Sequence, residues 1–213
     1  MRTIDWHFDI LSPFARIQLA QMAGLPEHVS VRPRATLLGA LLKHWGQRGP
    51  AEIVPKRTHT YRLAIHVAGR HRVPLVFPPR HPFNPLPSMR LLAGLNDGEG
   101  PTLAQAERAM AHVWNDGRAP DDEAGLTALA GTLDADPALA TAEASKAALR
   151  AVTDEAVARG VFGVPTFAVP HDEGHELFWG VDAFPMLIDF LADPDLFDRG
   201  AYAHEPEFGI ARR

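Results

Sequence analysis

Two short stretches near opposite ends of the chain carry residue types that could do chemistry together. The first is Ser12-Pro13-Phe14-Ala15 and the second is Gly163-Val164-Pro165-Thr166. Ser12 stands where an apolar alternating run gives way to a helical spacing. A hydroxyl there joins the unpaired backbone N–H groups of a helix N-terminus, which attract an anion or a thiolate. The helix dipole adds about 0.3–1 kcal/mol in the same direction. The plainer reading is an ordinary helix start, with serine as N-cap and proline at the first helical position. Val164-Pro165 opens a second apolar strand, and an X-Pro bond is one of the few places where a cis peptide is found. If the bond is cis, the Val164 N–H and C=O face outwards and can pair with a peptide-like ligand in antiparallel fashion. If it is trans, the segment is a plain strand entry.

Further candidates are weaker one by one. Asp182, after Trp179-Gly180-Val181, offers a carboxylate to a ligand ammonium, with Val181 adding a backbone contact, or simply caps the next helix. Lys56 can meet a carboxylate as a point charge or stay solvated. From Phe77 to Pro87 there are five prolines in 11 residues, a stiff extended wall. Arg80, Phe83 and Asn84 on that wall could line a pocket for an aromatic acid, or the wall could be a rigid connector. The histidines show no metal-ligand spacing, and no nucleophile elbow, Walker loop or dinucleotide fingerprint occurs.

The elements that must position these residues follow from the periodicities. Residues 1–35 read β-α-β: a strand over Thr3–Ile10, with Ile4, Trp6, Phe8 and Ile10 alternating, a helix over Phe14–Gly24, and a strand over Val29–Arg32 stopped by Pro33. From Thr36 to Gly160 helix follows helix. The spacing predicts one over Leu37–Trp45, then Thr58–Arg72, Leu86–Leu95, Leu103–Trp114, Glu123–Leu133 and Ala138–Arg159. The last has Asp136 to cap it, Pro137 at its first position and Gly160 at its exit. Strands return at Thr166–Val169 and Glu176–Trp179, before a helix over Ala183–Ala192. This is an α/β pattern with a large all-helical insertion: 1–35 plus 160–213 form a sheet domain and 36–159 the insertion.

Composition bounds the function. With 213 residues, 46% of them hydrophobic, the chain can bury a sizeable core, and a net charge of −5 leaves no broad basic field for nucleic acid. No apolar run reaches the roughly 18 residues of a membrane span and no charged-then-apolar leader opens the chain, so a cytoplasmic protein that binds neither membrane nor nucleic acid is expected. The chain has no cysteine, which excludes disulfides, thiolate-bound metals and thiol chemistry by the protein itself. Any sulfur in the reaction must come with a ligand.

Taken in order, Phe8-Asp9-Ile10-Leu11-Ser12-Pro13-Phe14, Pro55-Lys56, His81-Pro82-Phe83-Asn84-Pro85-Leu86 with Arg90, Gly160-Val161-Phe162-Gly163-Val164-Pro165-Thr166-Phe167, Leu177-Phe178-Trp179-Gly180 and Asp182 resemble the 2-hydroxychromene-2-carboxylate isomerase family. That family has a DsbA-like thioredoxin fold and is related to kappa-class glutathione transferases. The resemblance covers the chain to about Pro194. It implies a thioredoxin-like fold, glutathione as cofactor, and Ser12 in place of the cysteine of oxidoreductase relatives. It further implies Val164 and Pro165 holding the cysteinyl backbone, Val181 and Asp182 at the γ-glutamyl end, and Lys56 and the Gln47 position in ligand contact. Phe14, Arg80, Phe83 and Asn84 become the expected substrate contacts. The reaction implied is a glutathione-dependent cis–trans isomerisation of a small aromatic or conjugated acid. A kappa-like transferase and a non-catalytic binding module are the alternatives. Relatives are commonly dimers, which makes a homodimer the assembly to test. Two positions depart from the pattern: Gln47 stands where many relatives carry Asn, and Leu63 where they often carry Asp.

Overall fold

The computed structural model describes residues 1–204. Its centre is a four-stranded sheet in the order β2-β1-β3-β4. The strands are β1 (Arg2–Phe8), β2 (Val29–Ala35), β3 (Thr166–His171) and β4 (Gly174–Trp179). β1 runs parallel to β2 and antiparallel to β3, and β3 and β4 form a hairpin. The two-residue connection of that hairpin contains Asp172, at φ 45°.

Helix α1 (Pro13–Gln21) crosses from β1 to β2 and ends in a 3₁₀ turn over Met22–Gly24. Between β2 and β3 lie α2 (Leu38–His44), α3 (Val54–Arg70), α4 (Leu86–Gly94), α5 (Leu103–Trp114), α6 (Glu123–Thr132) and α7 (Glu143–Ala158), and α8 (Phe184–Ala192) follows the hairpin. The nine C-terminal residues counted with the sheet domain, 205–213, lie outside the described residues.

Three local readings are corrected by the fold. Pro33 does not stop β2: the strand continues to Ala35, with Pro33 in register with Trp6. β2 is an edge strand, so proline's missing N–H is not needed by a further neighbour. Helix α3 starts at Val54 rather than Thr58, because Pro55 fits its first turn, where an N–H would have no partner. The helix expected over Ala138–Arg159 is two pieces. Asp136 does cap, accepting from Ala138 N at 2.8 Å, but only a 3₁₀ turn over Pro137–Ala140, and α7 begins afresh at Glu143.

The core explains why the sheet and the helices form one body. Ile4, Trp6 and Phe8 of β1 are fully buried, with Trp6 and Phe8 stacked at 4.5 Å. The same apolar cluster continues through Leu91, Leu92, Trp114 and Leu149 of the intervening helices. On the alternate positions of β1, Asp5 and His7 are polar and also buried. Asp5 accepts from Arg32 at 2.6 and 2.9 Å and from Arg159, just past α7, at 2.6 Å. Burial pushes the Asp5 carboxyl up, but the two bonded guanidinium groups and the charge of Arg34 outweigh it and hold it at about 2. Arg34 and Arg159 both reach Glu155 of α7. His7 bonds Thr36 at 2.9 Å, and burial, the largest influence on it, lowers its pKa to about 3.

Candidate active site

The register of the sheet decides whether the two chemical stretches meet. His7 pairs with Thr166, so the C-terminal end of β1, which leads to Ser12, and the N-terminal end of β3, which follows Val164-Pro165, share one end of the sheet. The Val164-Pro165 bond is cis. Neither the N–H nor the C=O of Val164 has a hydrogen-bond partner among the described residues. Pro165 C=O is taken by Gly180 N at 2.9 Å. Thr166 Oγ1 closes the loop from below by donating to Gly163 C=O at 2.7 Å. A Cβ at Gly163 would stand 2.7 Å from Trp179 Nε1, so a larger residue there would have to displace that ring.

Ser12 is the N-cap of α1, with its backbone in the extended region and its Oγ accepting from Ala15 N at 3.3 Å. The hydroxyl therefore caps the helix, as the plainer reading held. Its own proton has no acceptor among the described residues and remains available to a ligand. Helix α1 is also tied to the strand-exit loop opposite. Gln18, which accepts from Trp6 Nε1 at 2.8 Å, donates to Gly180 C=O at 2.8 Å, and Gln21 donates to Val181 C=O at 3.0 Å. Val181 thus has its carbonyl occupied and only its N–H to offer. Asp182 is exposed, α8 is capped at Ala183 without a side chain, and the Asp182 carboxylate has no protein partner among the described residues. Gly180, at φ +86°, lets that carboxylate lie where a Cβ would come within 2.6 Å of it.

The loop between β1 and Ser12 is held from every side, by residues that sequence reasoning passed over. Trp114 Nε1 donates to Ile10 C=O at 2.9 Å, and His81 Nε2 bonds Leu11 C=O at 2.9 Å. His81 Nδ1 lies 2.7 Å from the Tyr61 hydroxyl, and its ring sits edge-on to Phe77, Phe83 and Trp114. Burial lowers the His81 pKa, partly offset by its bond to Leu11 C=O. With Nε2 facing a carbonyl, the neutral ring carries its proton on that nitrogen. The fully buried Asp9 carboxylate accepts from Leu11 N with one oxygen and from Leu38 N with the other, each at 2.9 Å.

The remaining expected site residues fall as follows. Phe14, on α1, packs against the small cluster of Ile17, Ala68 and Val73. Phe83 is buried in the main core. Asn84 accepts from Leu86 N at 3.1 Å at the start of α4. Arg80 pairs with Asp121 at 2.9 Å and with Asp122 at 3.6 Å and borders a surface depression with His112 and Arg118. From the proline-rich wall it is His81, not these three, that reaches the Ser12 loop. Lys56 is exposed in the first turn of α3, and Gln47 is exposed past the end of α2, with its N–H bonded to Leu42 C=O at 2.8 Å. Leu63 is exposed on α3. No group of three or more metal-ligating side chains occurs among the described residues, and none of their helices is long and apolar enough to cross a membrane.

The family profile of the DSBA-like thioredoxin domain matches this chain over residues 3–192. The chain belongs to that family. Among curated proteins it is similar to a 2-hydroxychromene-2-carboxylate isomerase from Sphingobium xenophagum, with 28% identity over 200 residues, 90% of this chain and 99% of the relative. Among solved structures, a 2-hydroxychromene-2-carboxylate isomerase superposes with a TM-score of 0.75 at 24% identity, over 89% of this chain and 94% of that one. The cytosolic disulfide reductase DsbM from Pseudomonas aeruginosa, solved with GSH, superposes at 0.54 with 17% identity, over 89% and 99%. At these identities the two structures establish the shared fold. The curated similarity makes the chain a homologue of a named isomerase.

Proposed function

We propose that this DsbA-like protein is a glutathione-dependent isomerase of a small aromatic or conjugated acid. The observation that carries the reading is the combination of an unclaimed Ser12 hydroxyl proton with an unpaired Val164 amide and carbonyl, at one end of one sheet, in a chain without a thiol of its own. Homology to a protein named as an isomerase supports the reaction class.

The residues present fit a γ-glutamyl tripeptide. Val164 offers one donor and one acceptor in the spacing of an antiparallel strand, which matches a cysteinyl residue's backbone. Ser12, its Oγ accepting from Ala15 N, keeps its O–H free to donate towards a sulfur, and that donated bond favours the thiolate over the thiol. Asp182 and the Val181 N–H lie one residue apart on the next loop, suited to the ammonium and carboxylate of the γ-glutamyl end. Lys56 and Gln47, on the segment after α2, stand as candidates for the opposite carboxylate. Bound glutathione would supply a thiolate that adds reversibly to a conjugated carbon, turning a double bond into a rotatable single bond, and departs unchanged. The chain's own part is to hold the sulfur by the Ser12 O–H and to fix the ligand's backbone by Val164.

Calorimetry and thermal shift with glutathione test the binding. Millimolar glutathione should raise Tm through preferential binding to the native state, and the absence of any shift would leave a non-catalytic module as the better reading. Product analysis after a single turnover tests the reaction. Recovered free glutathione supports isomerisation, whereas a stable thioether identifies a transferase.

A further inference from the structure

We infer that Asp9 is a positioning residue of the site: its carboxylate clasps the Ser12-bearing loop to the start of α2, so that the placement of Ser12 relative to α2 follows the charge state of this one buried side chain. The inference rests on the reading of Ser12 as the thiol-holding residue. Asp9 uses all three of its oxygens. Its main-chain carbonyl accepts from Ser12 N at 3.0 Å, Oδ1 from Leu11 N and Oδ2 from Leu38 N, both at 2.9 Å. Leu11 and Ser12 form the loop, and Leu38 is the first residue of α2. At the far end of α2, Leu42 C=O holds Gln47, and α3 with Lys56 follows. One carboxylate therefore joins the part of the site meant for sulfur to the segment meant for the ligand's opposite end. The ionised form accepts strongly from both amides at once; adding a proton weakens one oxygen as an acceptor and introduces an O–H that needs an acceptor of its own.

Burial, the largest influence, raises the Asp9 carboxyl to about 6, with the Leu11 and Leu38 amides acting against it. No charged side chain contributes. On β1, Asp5 is engaged by Arg32 and Arg159 and His7 stays neutral against Thr36. Arg34 of β2 pairs with Glu155 of α7, α2 carries Lys43 and His44 in its last turn, and α7 presents the Thr153 hydroxyl to Leu37 N. From the wall, His81 binds the same loop through Leu11 C=O, and burial keeps its pKa low. The clasp should therefore open near pH 6 as a single event.

The test is an amide NMR titration of the full chain from pH 5 to 8, wild type against Asp9→Asn. In wild type, the Leu11, Ser12 and Leu38 amide signals should move together with one midpoint near 6, and in the variant they should stay flat. Independent midpoints, or the same titration in the variant, would overturn the inference. If Asp9→Asn does not fold, Leu38→Pro removes the second donor at a helical position that tolerates proline. The Leu11 midpoint should then rise, because the carboxylate has lost an amide, and an unchanged midpoint would overturn the clasp. Glutathione calorimetry separates this inference from the function it rests on. Wild type should bind roughly five-fold or more tightly at pH 7.5 than at pH 5.5, with Asp9→Asn weak at both. Equal affinity at both pH values overturns the coupling, while no binding at any pH overturns the glutathione reading and leaves the amide titration to decide the clasp.

Discussion

At the scale of single residues, the site is a division of labour between groups that are satisfied and groups that are not. Ser12 Oγ accepts from Ala15 N and keeps its proton, so Ser12→Ala removes both a cap and a donor. The cap is worth about 1 kcal/mol of stability. The donor should show separately: the thiol pKa of bound glutathione, read by thiolate absorbance against pH, should rise in Ser12→Ala, and an unchanged titration would remove Ser12 from the chemistry. Asp182→Asn should weaken glutathione binding without altering Tm, since its carboxylate holds nothing in the protein. Calorimetry and a melt on the same sample check both halves. The buried Asp5 behaves oppositely. Arg159→Met strips one of its two guanidinium partners and leaves Arg32 to hold the carboxylate, so a loss of about 1.5–3 kcal/mol is expected in denaturant unfolding.

At the scale of elements, close approaches set what may change. Helices α4 and α7 touch at Gly94, where a Cβ would come within 2.0 Å of Ser145 Oγ and 2.9 Å of its Cβ. Gly94→Ala should destabilise by about 1–3 kcal/mol as the helices are pushed apart, seen as a lower midpoint in urea at unchanged slope. A result above wild type would mean that α4 slides at no cost. The elements also show where sequence periodicity stops being informative. Pro33 reads as a strand terminator because proline lacks a donor, and only the position of β2 at the sheet edge makes that lack harmless. Asp136-Pro137 reads as the start of one long helix because cap and first-turn chemistry are the same for a 3₁₀ turn as for an α-helix. In contrast Leu103–Trp114 matches the expected range, since Thr102 and Gln105 close a capping box that fixes its start.

At the scale of the whole molecule, three buried ionisable groups on and just after β1 set the response to acid. Asp5 at about 2 lies below its unfolded value of ~3.9, so its stabilisation is complete above ~3.9 and is lost as pH falls from there through about 2. His7 at about 3 lies below ~6.5, so the native state forgoes a proton that the unfolded chain accepts, and stability falls as pH drops below 6.5. Asp9 at about 6 lies above ~3.9, so the native state takes up a proton first, and its contribution grows as pH falls from 6 to 4. Between pH 6.5 and 4 the last two oppose each other. Below 4, Asp5 and His7 act together. Denaturant unfolding should therefore show a shallow plateau down to about pH 4 and a steep fall beneath it. In Asp9→Asn the plateau should be replaced by a decline starting near pH 6.5, and a variant profile parallel to wild type would remove Asp9 from this balance.

By itself the sequence determined the order of strands and helices, the two stretches that meet at one end of the sheet, and the lack of any thiol in the chain. These follow from local periodicity, capping chemistry and the absence of cysteine, none of which requires knowledge of distant contacts. Only the tertiary structure decided which side chains hold the Ser12 loop. His81 reaches Leu11 across 70 residues and Trp114 reaches Ile10 across 104, and an isolated histidine or tryptophan carries no mark of such a bond. The same holds for Arg80, drawn to Asp121 by a charge 41 residues away, and for Phe83, taken into the core. A loop's backbone must find partners for its polar groups wherever packing supplies them, so its donors come from whatever elements the fold brings alongside.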